Sequence, residues 1–151
     1  MSTIRMSCPA PVPVPKTARL LAVAALLAAV ALLRLLPLRA VLAVAHAARL
    51  VMRRHPDAAA VRRLAAARDW AGRRWPGRAA CLENSLAVYL TAASCGYYAA
   101  WCIGCRFAPA AAHAWTRTRL GPLGEPTDPD RPLHITVTVG ELNLTRASEL
   151  S

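Results

Sequence analysis

Acidic residues are scarce in this chain, and none occurs before Asp57. Among 151 residues there are 8 Asp and Glu against 19 Lys and Arg, a formal net charge of +11. The imbalance is local. Residues 1–78 hold 14 basic groups and two acids, a net +12, while residues 79–151 hold five basic groups and six acids, a net −1. A basic first half points toward an anionic partner and leaves the chemistry to the near-neutral second half. The marks of a nucleic-acid binder are also missing. The arginines punctuate Ala/Leu helices, with no zinc-finger spacing, helix-turn-helix or aromatic RNA-binding motif, so no nucleic-acid partner is expected. A disulfide framework is excluded too: the five cysteines (8, 81, 95, 102, 105) are odd in number and irregularly spaced. Reduced thiols and a cytoplasmic location fit that pattern. No internal repeat is visible, and the length suits one domain able to bury a real core.

Residues 1–16 are proline-rich and read as a disordered lead-in. A basic, Ala/Leu/Arg-rich helical region follows over 17–73. It opens with fourteen consecutive apolar residues, Leu20 to Leu33. A transmembrane helix needs about 20, and extending the run means burying Arg34 and Arg39 and crossing Pro37. A signal peptide would offer Ala45-His46-Ala47 as its small-x-small site, but two arginines separate that site from the apolar run. The preferred reading is a pair of helices, 17–36 and 38–54, hinged at Pro37 and packed on the body or a partner. Contact with a membrane surface is the second choice. Pro56-Asp57 starts a third helix, which Pro76-Gly77 terminates. A fourth runs from Cys81 to Cys95, with Leu82, Leu86, Tyr89, Leu90 and Ala93 on one buried stripe and Gly96 as its C-cap. Then the period changes to that of strands: 98–106, 112–119 and 133–139. Helices first and a meander afterwards make an α+β fold with a mostly antiparallel sheet. The candidate catalytic core spans 74–139, and 140–151 form a short tail.

Within that core, Cys81 sits at a helix start, where unpaired N–H groups favour negative charge and Arg78 adds more positive charge. The ordinary alternative is an inert buried cysteine. His113 falls on a strand with Trp115 on the same side, so that an indole would lie beside the imidazole. A lone histidine is otherwise a hydrogen-bonded core residue. Glu125 and Asp128, in the turn beyond, are candidates to accept from the other ring N–H and fix the tautomer; Asp-Pro turn chemistry is the plainer account. Ser85, one turn after Cys81, is read as a small packing residue in preference to a positioning group. Trp101-Cys102-Ile-Gly-Cys105 imitates a redox motif, but on a strand its two thiols point to opposite faces. A zinc site from Cys95, Cys102, Cys105 and His113 would have a single Cys-x2-Cys pair, so neither metal nor cofactor is expected.

Cys-Leu-x-x-Ser-Leu at 81–86, Trp101-Cys-Ile-Gly104-x-Arg106, Ala112-His113-Ala-Trp115 and Gly124-Glu-Pro-x-Asp128 together resemble the leader peptidase of lasso peptide biosynthesis. The resemblance covers about residues 60–139. It implies a transglutaminase-like, papain-related cysteine peptidase core with Cys81 as nucleophile and His113 as general base. It also implies an aspartate as third member; Asp128 is preferred slightly, with Glu125 near-equal. Members usually follow the histidine motif with Val-Glu, where this chain has Thr116-Arg117. The implied reaction removes the leader from a ribosomally made precursor peptide. The implied partners are a separate leader-binding protein and an ATP-dependent macrolactam cyclase.

Two rival readings stand beside it. One is a non-catalytic, membrane- or partner-associated protein working through its basic helices; the other is an acyl-transferring enzyme on the same fold. Deleting residues 1–54 is expected to destroy the function of the first rival, but only to weaken a partner contact in a peptidase.

Overall fold

The computed structural model describes residues 13–77, 79–107, 110–124 and 132–140. Of the disordered lead-in expected over 1–16, residues 1–12 lie outside them, while Lys16 already opens a helix; residues 141–151 of the expected tail lie outside too, as do Arg78, Glu125 and Asp128.

Among the described residues four α-helices precede a four-stranded sheet, the expected α+β architecture. Helix α1 spans Lys16–Leu35 and α2 Leu38–Ala48. Pro37 separates them: its fixed φ of −65° and extended ψ of 149° break the first helix and open the second. The second was expected to reach residue 54 but stops earlier. A single 3-10 turn, Arg49–Val51, follows it, and Arg54 then forms a parallel bridge with Tyr97. The backbone N–H groups of Arg53 and Arg54 both donate to Gly96 O, at 2.8 and 3.1 Å, which draws the chain out of helix. Helix α3 (Ala58–Gly72) begins where Pro56-Asp57 indicated, with Asp57 Oδ1 accepting from Ala60 N–H at 2.7 Å. Helix α4 (Cys81–Ser94) ends at Gly96, whose φ of +73° provides the left-handed turn.

Strands β1 (Ala100–Arg106), β2 (Ala111–Thr118), β3 (Gly121–Pro122) and β4 (Leu133–Val139) form a sheet in the order β3-β2-β1-β4, with antiparallel pairs throughout. The order corrects the expected meander. β4 crosses over to the far edge of β1 instead of continuing beside β2. Gly104 is one reason it fits there: the two strands shift register between Ile103 and Gly104, and a Cβ at 104 would meet the carbonyl of His134. Beyond its contact with β3 and Leu123, β2 has a free edge among the described residues.

Residues 101, 116 and 85 show which sheet face the helices cover. Trp101 Nε1 donates to Ser85 Oγ at 2.9 Å, and Thr116 Oγ1 donates to Ser85 O at 2.7 Å. Trp101 and Thr116 are cross-strand partners, so this face meets α4. By the two-residue period of a strand, His113, Trp115 and Cys102 lie on the other face. Trp115 and Cys102 bury there with Ala100 in a small second cluster. The main core is continuous from α1 through α4 to the sheet: Leu26, Ala29, Val41, Leu64, Leu86, Tyr89, Trp101 and Val139 all belong to it. The most extensive helix pair is α1 against α4.

Candidate active site

Cys81 is the first residue of α4, and its side chain is exposed. No side-chain oxygen caps this end, because residue 80 is alanine. Instead the Glu83 carboxylate reaches back and accepts from Ala80 N–H at 2.6 Å. The N–H groups of Cys81, Leu82 and Glu83 have no acceptor within the helix and remain directed at the space before it.

Along the side of that first turn lies a cavity of about 550 Å³. Cys81, Asn84, Ser85 and Val88 of α4 form one wall, and Ala114, Trp115, Thr116 and Leu123 form the opposite one. Arg68, Asp69 and Arg73 of α3 make a charged side. Cys81 and Trp115 therefore line one cavity. His113 is not part of the lining. It precedes the lining segment by one residue, half-buried, with its ring stacked on that of Trp115 at 6.0 Å between centroids and 13° between planes. The indole thus lies beside the imidazole, as the strand spacing required. The imidazole occupies the sheet face away from α4, outside the lining of the cavity onto which Cys81 opens. Glu125 and Asp128 fall outside the described residues; Leu123 lines the cavity, and Gly124 follows it with a φ of +69°.

Two residues contribute more than their sequence context indicated. Ser85 was read as simple packing, but its hydroxyl accepts from the buried Trp101 indole while donating to Leu82 O at 3.1 Å. Its carbonyl takes the Thr116 hydroxyl. It therefore fixes the Cys81 end of α4 to the sheet. The Thr116-Arg117 pair that stands in place of Val-Glu splits its roles: Thr116 makes that tie, and Arg117 lies on the opposite strand face. The second residue is Arg68, whose guanidinium donates to Leu123 O at 3.2 Å and Gly124 O at 3.3 Å and pairs with Asp69 at 2.8 Å. It holds the turn that leads toward Glu125 and Asp128. Nothing in the sequence separates Arg68 from the other arginines of α3, since its partners are backbone carbonyls some 55 residues away.

The remaining thiols diverge. Cys102 is buried and contacts Thr138 Oγ1 at 3.6 Å, and burial pushes its pKa up. Cys105, three residues along the same strand, faces the other way, so the two do not form a redox pair.

A family model described as "Transglutaminase-like superfamily" matches residues 23–138. Searches of characterised proteins and of solved structures gave no match.

Proposed function

The chain belongs to the transglutaminase-like superfamily, whose members include cysteine peptidases and acyltransferases, and from that premise we propose that it is a cysteine peptidase. Its substrate in this reading is a lasso-type precursor peptide, from which it removes the leader. The observation that carries the reading is the exposed Cys81 thiol, opening into a cavity whose far wall is the strand segment directly after His113.

In this mechanism His113 takes the Cys81 proton as Sγ attacks the scissile carbonyl. The oxyanion forms in front of the first turn of α4, where the Cys81 N–H donates. Collapse breaks the C–N bond, and the imidazolium gives its proton to the departing amine. Water then attacks the thioester, losing a proton to His113, and the acid is released as the thiol re-forms. Asp128 or Glu125 holds the imidazole by accepting from its other N–H. Trp115 shields one face of the ring. A separate leader-binding protein presents the substrate, and the freed amine passes to an ATP-dependent macrolactam cyclase.

Exposure of Cys81 also favours a second reading, acyl transfer, because an amine can reach the thioester as readily as water. One experiment addresses both. The full-length protein and its Cys81→Ala variant are incubated with precursor peptide and leader-binding protein, with and without added amine, and the peptide is followed by mass spectrometry. Hydrolysis gives a leader ending in a free acid, and transfer gives its amide; both depend on Cys81. An intact peptide with both proteins, the leader-binding protein being shown to engage it, overturns the proposal.

A further inference from the structure

Helix α1 is apolar around its whole circumference, yet only one side is covered. Ala22, Ala25, Leu26, Ala29 and Val30 are buried against the body. At 100° per residue, Leu20, Ala24, Leu27, Ala31 and Leu35 fall on the opposite side. All five are exposed: Leu20 at 72%, Leu27 at 52% and Leu35 at 79% of their full area. A helix that is apolar all round belongs in a core or in lipid, and this one has a core on one side alone.

Charge identifies what covers the other side. The uncovered stripe is bounded by Lys16 and Thr17 at one end and Arg34 at the other, and from Leu20 to Ala31 it offers no side-chain donor or acceptor. Residues 13–54 contain seven Lys and Arg and no acid. A second copy would bring the same positive charge to the contact. A protein partner would ordinarily seek polar contacts along the stripe, and from Leu20 to Ala31 there are none. An apolar medium under a negatively charged layer satisfies both halves of the pattern. The helix has 20 residues and therefore extends about 30 Å, long enough to lie along a surface with its inner face still on α4.

We propose that the outer face of α1 is a membrane-docking surface, with Leu20, Leu27 and Leu35 entering the headgroup boundary of an anionic bilayer and Lys16 and Arg34 meeting its phosphates. The proposal is independent of the chemistry at Cys81.

The test is flotation of the full-length protein with vesicles of phosphatidylcholine alone and of phosphatidylcholine with about one-third phosphatidylglycerol. The wild type is expected to float with the anionic vesicles, less so as salt is raised, and to stay behind with the neutral ones. Leu20→Gln/Leu27→Gln, at two exposed positions, is expected to weaken that binding about tenfold or more while circular dichroism and melting temperature hold. Arg34→Gln is expected to weaken it severalfold. Failure to float with anionic vesicles overturns the proposal, as does equal flotation with neutral ones or binding that survives the double substitution. Sedimentation velocity adds a further arm. A dimer abolished by the double substitution, with no vesicle binding, would assign the face to a second copy and overturn it as well.

Discussion

The two ends of α4 each carry a cysteine, and they are finished in opposite ways. At the C-terminal end the backbone closes on itself: Gly96 N–H donates to Ala93 O at 2.8 Å and Tyr97 N–H to Ala92 O at 2.9 Å. Arg53 and Arg54 then cover Gly96 O, and Cys95 is left half-buried, its pKa raised chiefly by that burial. At the N-terminal end a single carboxylate caps a single N–H, and Cys81 stands exposed before the rest. The same residue type on the same helix is a sealed packing group at one end and an accessible thiol at the other. What separates them is the accounting of backbone hydrogen bonds, which the sequence displays only indirectly, through Gly96 at one end and Ala80 at the other.

The sharpest way to break this contrast is to exchange the roles. Cys81→Ala is expected to reduce turnover by about three orders of magnitude or more, whereas Cys95→Ala leaves kcat within about twofold. Comparable losses from both, measured by leader release, would end the distinction. The next effect concerns the tie at the open end. Ser85→Ala leaves the buried Trp101 indole without its acceptor and is expected to cost about 1–3 kcal/mol in urea unfolding. Its turnover should fall as well, because the helix start is no longer fixed to the sheet. At the sealed end Gly96→Ala, forced to a φ of +73°, is expected to cost about 1–2 kcal/mol with catalysis preserved. The smallest effect is a pH profile. Burial holds Cys95 and Cys102 above the ordinary thiol range, so less of each is thiolate at a given pH. Their alkylation by iodoacetamide is expected to keep rising severalfold beyond about pH 9, with Cys81 labelled first at neutral pH, as mapped by peptide mass spectrometry.

Local chemistry made much of this legible. Asp57 announced α3, Gly96 ended α4, and the alternation of Leu133 to Val139 gave β4 to the residue. The facing of His113 and Trp115 followed from strand period alone. What was hidden depended on distant partners. β4 reads as a strand wherever it docks, and its place beside β1 rests on the missing Cβ of Gly104. Ser85 looks like any small helical residue until Trp101 is brought over it, 16 positions later. Arg68 looks like any solvated arginine until the chain returns with Leu123 and Gly124. Glu125 and Asp128, the acids the sequence motif offered, lie outside the described residues.

The continuous core has a consequence for how the molecule can be dissected. Val41 and Ala45 of α2 are wholly buried, and the Ala45 carbonyl accepts the hydroxyl of Tyr89 at 2.8 Å from the middle of α4. Leu26 and Ala29 of α1 lie in the same core as Leu86 and Trp101. Cutting the chain at residue 54, which the sequence recommended as a clean separation of docking from chemistry, would therefore strip the support from beneath the helix that carries Cys81. The two properties are separable by face and not by segment: inward residues of α1 belong to the enzyme and outward ones to its surroundings. A chain of this size could thus change the chemistry of its outer surface by a few substitutions, without disturbing the core that carries Cys81.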